Sequence, residues 1–158
     1  MIAPLSCCLV RHGDAAGGPV DAERPLTPGG RRSVEAVARR LVERSVVVWE
    51  IWHSGLVRAR ETAELLAAAL HPRAGVRAVD GLGPDADPQQ ARRRLASSTE
   101  PVLLVGHLPH LAQLAALLVG GEEGVVTFRP ATVAYLTRGV AVWTIEWVLD
   151  APAEPSPR

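Results

Sequence analysis

The sequence predicts an α/β fold: a three-layer α/β/α sandwich with a mostly parallel sheet and an antiparallel hairpin at its C-terminal end. Short apolar runs alternate four times with amphipathic helical stretches, as in successive βαβ units. Two further strand-like runs then follow almost directly on one another. At 158 residues and 47% apolar composition, the chain has enough apolar surface for one domain. We place it at residues 1–150, followed by a proline-rich tail at 151–158 that we expect to be disordered.

The first elements are a strand, a long loop and a helix. The apolar run at residues 5–10 predicts a strand that is buried on both faces. A loop rich in Gly, Pro and Asp extends over residues 13–30, and within it Thr27-Pro28 is typical of a helix N-cap with proline in the first turn. The helix that follows has one apolar stripe, formed by Val34, Val37, Ala38, Leu41 and Val42.

The middle of the chain repeats this alternation. Residues 46–52 predict a second buried strand because they are rich in β-branched and aromatic side chains. A helix is predicted at 56–70, where His71-Pro72 stops it. A short strand at 76–79 precedes a helix that begins at Asp87-Pro88 and extends to about Leu95.

The last third of the chain predicts a central strand, a helix and a hairpin. The strand lies at 102–105, and the helix begins at Pro109 and ends at Gly120-Gly121. Two strand-like runs follow at 132–137 and 140–149. Because only Arg138-Gly139 separates them, we expect a tight two-residue turn and an antiparallel pair.

Composition excludes several classes of function. The chain has 17 basic and 17 acidic residues, so it lacks the surplus positive charge of a dedicated nucleic-acid binder. Every basic residue is arginine, which excludes lysine Schiff-base chemistry and the Walker A nucleotide loop. The N-terminal apolar run ends at Arg11, too short for a signal peptide or a membrane span. Adjacent Cys7 and Cys8 would point to opposite faces of a strand, so we expect two free thiols and a reducing cytoplasm.

Polar residues follow three of the predicted parallel strands. The first strand ends at Arg11-His12-Gly13-Asp14, the second leads to His53-Ser54-Gly55 and Arg58, and the fourth leads to Gly106-His107. The carboxyl ends of parallel strands meet at one edge of a sheet, and ligands bind there. Arginines and histidines beside helix N-termini favour an oxyanion such as phosphate.

These three segments resemble the motifs of one family. Leu9-Val10-Arg11-His12-Gly13-Asp14 resembles the Arg-His-Gly signature of the histidine phosphatase superfamily, the phosphoglycerate-mutase-like enzymes. The run from His53 to Thr62 resembles that family's second block, with Gly55 in place of the usual proline, and Val105-Gly106-His107-Leu108-Pro109 resembles its third. The short chain and the Arg24-Pro25-Leu26-Thr27-Pro28 segment look most like the SixA-type phosphohistidine phosphatases.

The resemblance implies a role for four residues. His12 would be the nucleophile that takes the phosphoryl group, and Arg11, Arg58 and His107 would hold its oxygens. Neither a metal nor a cofactor is implied. The chemistry is consistent, since a histidine attacks only when it is neutral and neighbouring arginines disfavour the imidazolium form.

Larger members of the superfamily carry an acidic residue after the third strand that protonates the leaving oxygen. Here Gly83 or Pro84 falls at that place, and Asp80 and Asp85 lie near it. An alkoxide needs such a proton donor, whereas the imidazole of phosphohistidine leaves without one. The absence of an acidic residue at the proton-donor position therefore favours a phosphohistidine substrate over a sugar phosphate.

Three functions follow in order of preference. The first is a cytoplasmic, monomeric phosphatase that acts on phosphohistidine in a protein partner. The second is a phosphomonoesterase for small molecules, and the third is a phosphate-binding module without turnover. We expect neither nucleic acid nor membrane as a partner.

The roles of four neighbouring residues stay open. Asp14 is either a pocket residue beside the nucleophile or a turn residue only. Arg60 either faces the pocket or pairs with Glu64, and the pairing is the preferred interpretation. We expect His110 at the pocket rim or in solvent, and His53 in a structural role.

Overall fold

The structure is a computed structural model and describes residues 4–153. Residues 151–153 have no regular secondary structure, and residues 154–158 of the predicted tail lie outside the described part of the chain. The elements are, in chain order, β1 (Ser6–Arg11), a 3-10 helix (Asp21–Glu23), α1 (Pro28–Glu43), β2 (Glu50–His53), α2 (Val57–Leu70), β3 (Val76–Ala78), α3 (Pro88–Ala96), β4 (Val102–Gly106), α4 (His110–Val119), β5 (Val133–Arg138) and β6 (Trp143–Leu149).

One six-stranded sheet runs through the molecule in the order β3-β2-β4-β1-β5-β6. The first four strands are parallel, β5 is antiparallel to β1, and β6 is antiparallel to β5. Arg11 pairs with Gly106, and His53 pairs with Val105. The carboxyl ends of β1, β2 and β4 therefore meet at one edge of the sheet, as the sequence predicts.

Helices cover both faces of the sheet and confirm the three layers. On one face, β1 buries Cys8 and Val10 against α1 and α2. On the other, β1 buries Cys7 and Leu9 against α3 and α4. Both cysteines are free, and burial raises the pKa of each thiol, that of Cys8 to about 12. The central strands β1 and β4 are thus held between two apolar layers, which fixes where their polar ends emerge.

The predicted helix starts at the two Pro-containing caps are confirmed. The Thr27 hydroxyl accepts a hydrogen bond from the Gly30 backbone N–H at 2.9 Å. The Asp87 carboxylate accepts one from the Gln89 backbone N–H at 3.0 Å. These caps fix where α1 and α3 begin, because each satisfies an N–H that the helix itself leaves unpaired.

Three details of the predicted elements are wrong. The second strand begins only at Glu50, where the chain reaches its first partner, Val102, and Val47 is 72% exposed before it. Val42 is 49% exposed because it lies at the border of the apolar stripe of α1. The hairpin turn has four residues, 139–142, rather than two, since Arg138 pairs with Trp143 and the apolar tip projects into solvent.

Candidate active site

The end of β1 holds its backbone rigidly at the edge of the sheet. The Arg11 N–H donates to the Thr132 carbonyl and the His12 N–H to the Gly106 carbonyl, each at 3.1 Å. Arg11 and His12 are therefore tied to β5 on one side and to β4 on the other. These backbone hydrogen bonds fix the positions from which the two side chains extend, and a site built on rigid elements holds its groups more precisely than one built on a loop.

Gly13 brings this segment against α1 and α2. A Cβ at Gly13 would lie 2.8 Å from Val34 Cγ2 and 3.0 Å from the Gly30 carbonyl oxygen, so only glycine fits without a shift. The Gly13 N–H donates to Thr62 Oγ1 at 3.1 Å, and the Thr62 hydroxyl donates to the Arg58 carbonyl at 2.8 Å. The chain beside His12 is thus joined to the helix that carries Arg58.

The ring of His12 is fixed in one neutral tautomer. Its Nδ1 lies 2.7 Å from the Gly13 carbonyl oxygen, and since a carbonyl can only accept, Nδ1 carries the proton. Burial lowers the pKa of His12 to about 4, the Gly13 carbonyl opposes this shift, and the charges of Arg58, Arg11 and Arg24 add to it. Near neutral pH the ring is uncharged, and Nε2 keeps its lone pair for a bond to an electrophile.

His107 lies directly beside His12. The two ring centroids are 4.9 Å apart, with the planes inclined at 50°. His107 is buried, and its Nε2 shares a hydrogen bond of 2.6 Å with Ser54 Oγ. Burial lowers the pKa of His107 to about 3, and the Arg58 charge and the coupling to a protonated His12 act in the same direction. The ends of β2 and β4 are thereby joined next to His12.

Two arginines present unused donors in this region. Arg11 Nη1 donates to the Phe128 carbonyl at 3.0 Å, and Arg58 Nη1 donates to the Asp21 carbonyl at 3.0 Å. Within residues 4–153, the Nε of each arginine and Nδ1 of His107 are buried without a hydrogen-bond partner. Buried donors of this kind are costly unless something accepts from them. The three groups therefore keep unused hydrogen-bonding capacity of the kind that an oxyanion satisfies.

The structure settles the positions of the neighbouring residues. Asp14 is exposed and accepts from the Thr27 hydroxyl at 3.0 Å, so it supports the start of α1. Arg60 pairs with Glu64 at 3.5 Å, as preferred. His53 is buried and accepts from the Gly55 N–H at 3.0 Å, in a structural role.

The prediction for His110 is wrong. This residue is completely buried rather than at the rim or in solvent. It begins α4, and burial lowers the pKa of its ring, while the Gly81 backbone and the Asp87 charge oppose this shift. The exposed residues of this turn are Leu108 and Pro109 instead.

Sequence reasoning missed Asp21, Ser54 and Arg24. Asp21 lies on the 3-10 helix and Arg24 directly follows it, and this helix has no apolar periodicity in the sequence. The signal available in the sequence is the three-residue spacing of Asp21 and Arg24, which is compatible with their ion pair. The two acid candidates, Asp80 and Asp85, are both exposed. Asp21, not either of them, is the carboxylate whose charge acts on His107.

The described residues contain neither a group of side chains suited to a metal ion nor a helix suited to span a membrane. Between residues 4 and 153, no three or more His, Cys, Asp or Glu side chains are grouped so that they could bind a metal ion. No helix in this part of the chain is long and apolar enough to span a membrane.

Comparison with known proteins identifies the family. The histidine phosphatase superfamily (branch 1) matches residues 7–83. An uncharacterised protein of Picosynechococcus sp. (strain PCC 7002) is 38% identical over 122 residues, which cover 72% of this chain and 73% of that protein. The structure of the protein histidine phosphatase SixA complexed with tungstate superposes with a TM-score of 0.87 at 27% identity, over 92% of this chain and 97% of that one.

A mycobacterial glucosyl-3-phosphoglycerate phosphatase shares the fold alone, with a TM-score of 0.71 at 18% identity over 95% of this chain and 100% of that one. The match over residues 7–83 contains the end of β1 and the start of α2. With the SixA-like architecture and with His12 and His107 side by side, it shows that the chain belongs to the histidine phosphatase superfamily.

Proposed function

We propose that this protein is a phosphatase that removes the phosphoryl group from phosphohistidine in a protein, through a covalent intermediate on His12. The observation that carries the proposal is the state of the His12 ring. The Nδ1–H of His12 donates to the Gly13 carbonyl, with 2.7 Å between nitrogen and oxygen. The pKa of the ring is lowered to about 4, and the charges of three arginines contribute to this shift. A neutral imidazole with a free Nε2 in a cationic pocket is suited to attack phosphorus.

In the first step, the Nε2 lone pair forms a bond to phosphorus while the bond from phosphorus to the substrate imidazole breaks. The electron pair of that bond returns to the substrate nitrogen. Because the substrate ring carries a proton on its other nitrogen, it leaves as neutral imidazole and needs no proton from an acid of the enzyme. Charge that spreads over the three equatorial oxygens is met by the Arg11 and Arg58 guanidinium groups and by His107. Fixed donors of this kind lower the barrier by about 3 kcal/mol each.

In the second step, water attacks phosphorus and the bond to His12 Nε2 breaks. The electron pair returns to the ring, the water gives up a proton to solvent or phosphate, and inorganic phosphate leaves. His12 ends neutral, with Nδ1 still bound to the Gly13 carbonyl, so the enzyme is ready for another cycle. Side chains bind the phosphoryl group in both steps, and we propose that the reaction needs no metal.

The choice of phosphohistidine is supported by the acidic residues around the site. Asp80 and Asp85 are exposed, and neither is among the charges that act on His12 or His107. Asp21 is bound to Arg58 and Arg24, at 3.3 and 3.2 Å. A site without an available acid favours a leaving group that departs unprotonated. The related SixA is described as a protein histidine phosphatase.

A substrate panel tests the proposal. We would compare kcat/KM at one pH for a phosphohistidine-bearing protein domain, p-nitrophenyl phosphate and an alkyl phosphate such as a sugar phosphate. The first should react best and the second measurably, while the third should be poorer by about 100-fold or more, the usual value of a general acid. If the alkyl phosphate matched the phosphohistidine protein, the substrate class would be wrong, and loss of activity in Asp80→Asn or Asp85→Asn would identify the acid. The monomeric state and the cytoplasmic location stay predictions.

A further inference from the structure

Arg58 is held by a residue from the surface of the molecule. Arg58 Nη1 donates to the Asp21 backbone carbonyl at 3.0 Å, and Nη2 donates to Asp21 Oδ2 at 3.3 Å. The Arg58 side chain is 5% exposed, whereas that of Asp21 is 69% exposed. A carboxylate in solvent thus holds one edge of a buried guanidinium group.

The free part of the guanidinium group is then determined by its shape. The group is planar and rigid, and its five N–H bonds point in fixed directions. Asp21 takes one N–H from each terminal nitrogen, while Nε is buried and unpartnered within the described chain. Once Asp21 has accepted one N–H from each terminal nitrogen, the rotation of the fork is fixed, and the remaining N–H bonds are the ones left for a ligand.

Asp21 also contacts a second arginine at the site. Its Oδ1 lies 3.2 Å from Arg24 Nε, and the Arg24 charge acts on His12. The 3-10 helix that carries Asp21 has no buried residue and no side-chain cap. The contacts of Asp21 to Arg58 therefore join this turn to α2.

We infer that Asp21 is a positioning residue for phosphoryl transfer: it sets the orientation of Arg58, and of Arg24 beside it, so that their free donors face the phosphoryl group on His12. This inference rests on the proposed function. Asp21 does not touch the reacting atoms and acts through the two arginines. A misdirected fork would still bring positive charge to the site but would lose its paired hydrogen bonds to the phosphoryl oxygens.

The direction in which phosphate affinity changes when the Asp21 carboxylate is removed distinguishes a positioning role from a purely electrostatic one. A negative carboxylate near an anion site repels phosphate, so its removal should strengthen phosphate binding if charge alone mattered. If Asp21 positions Arg58, its removal should weaken phosphate binding instead. The two interpretations therefore predict opposite changes in the same dissociation constant.

The experiment compares Asp21→Ala and Asp21→Asn with Glu23→Ala. Glu23 is exposed on the same 3-10 helix and makes no side-chain hydrogen bond or ion pair within residues 4–153, so its substitution removes the same charge without the contact. Binding of inorganic phosphate is measured by calorimetry, and kcat and KM are measured with p-nitrophenyl phosphate. Thermal unfolding of each variant shows that it is folded.

We expect Asp21→Ala to weaken phosphate binding and to lower kcat/KM, each by about tenfold, the scale of a lost hydrogen bond to a charged group. Asp21→Asn should stay within about threefold of the wild type, because its amide oxygen still accepts from Nη2. Glu23→Ala should bind phosphate as the wild type does or slightly more tightly. In an Arg58→Ala background, Asp21→Ala should add only the smaller effect that passes through Arg24.

Unchanged or tighter phosphate binding by Asp21→Ala would overturn the inference while leaving the proposed function intact. A full additional tenfold loss in the Arg58→Ala background would also overturn it, because Asp21 would then act independently of Arg58. If the wild-type protein itself bound no phosphate and released none from any substrate, the proposed function would fail. The two failures are thus distinct.

Discussion

Ser54 Oγ and His107 Nε2 lie 2.6 Å apart, so a serine at the end of β2 holds a histidine at the end of β4. The contact fixes the rotation of the His107 ring and leaves its buried Nδ1 without a partner in the described structure. Because the ring is also 4.9 Å from that of His12, any movement gained by the His107 ring would change the surroundings of His12.

Ser54→Ala should therefore lower kcat/KM clearly while it lowers the free energy of unfolding only slightly. Loss of one buried hydrogen bond costs about 1 kcal/mol of unfolding free energy. We expect kcat/KM for p-nitrophenyl phosphate to fall by about tenfold, because the Nδ1 of His107 would no longer be held toward the phosphoryl oxygens. Ser97→Ala at the exposed end of α3 is the control. Equal activity in the two variants would contradict a positioning role for Ser54.

Gly13→Ala should destabilise the fold. The new Cβ would meet Val34 Cγ2 at 2.8 Å and the Gly30 carbonyl oxygen at 3.0 Å, and such crowding costs about 1–3 kcal/mol. Gly17→Ala in the same loop is the matched control, since a Cβ there meets no atom within 4 Å. Urea unfolding of both variants checks the prediction. A Gly13→Ala protein as stable as Gly17→Ala would show that the contact at Gly13 is not tight.

Stability should fall as the pH is lowered from about 6.5. The pKa values of His12 and His107 are lowered from 6.5 to about 4 and about 3. Below pH 6.5 the unfolded chain binds protons that the folded chain does not, so the free energy of unfolding decreases down to the folded pKa values. The contribution of the two neutral histidines to the free energy of unfolding is fully present above pH 6.5.

The variant His107→Gln isolates this effect. Between pH 6.5 and 5 its free energy of unfolding should depend on pH less steeply than that of the wild type, by at most about 1.4 kcal/mol per pH unit. Between pH 7 and 8 the two slopes should agree. Identical slopes in the acidic window, measured by urea unfolding, would show that His107 is not a buried neutral group.

Activity should survive exhaustive chelation. We propose that the arginines neutralise the phosphoryl oxygens while His107 donates a hydrogen bond to them, so a divalent cation has no charge left to supply. Turnover of p-nitrophenyl phosphate before and after dialysis against EDTA measures this directly. Loss of activity that a divalent cation restores would contradict the proposed mechanism.

The sequence predicted the architecture and the meeting of strand-end residues at one edge of the sheet, because both follow from local patterns. Alternating apolar runs define parallel strands, and residues at the ends of parallel strands must converge, which brought Arg11, His12 and His107 to one edge. The position of Asp21 could not be predicted. Its bond to Arg58 joins residues 37 positions apart through a loop without periodicity.

The other misses have equally local causes. The apolar residues of the hairpin tip look like a strand, but Val140 has no pairing partner and is fully exposed. His110 is polar and next to an exposed proline, yet the first turn of α4 directs it into the interior. In both places, packing against distant segments rather than the local sequence decides the outcome.

The most direct test is to trap the phosphoryl group on His12. The wild-type protein is mixed with a labelled phosphohistidine protein and quenched within milliseconds, and the phosphoenzyme is identified by mass spectrometry. His71→Asn is the control, since His71 is an exposed histidine at the C-terminal end of α2 with a left-handed backbone that asparagine tolerates. We predict an acid-labile, base-stable phosphoenzyme on His12 in the wild type and in His71→Asn, and none in His12→Ala. Retained turnover in His12→Ala, or label on another residue, would contradict the assignment of His12 as the nucleophile.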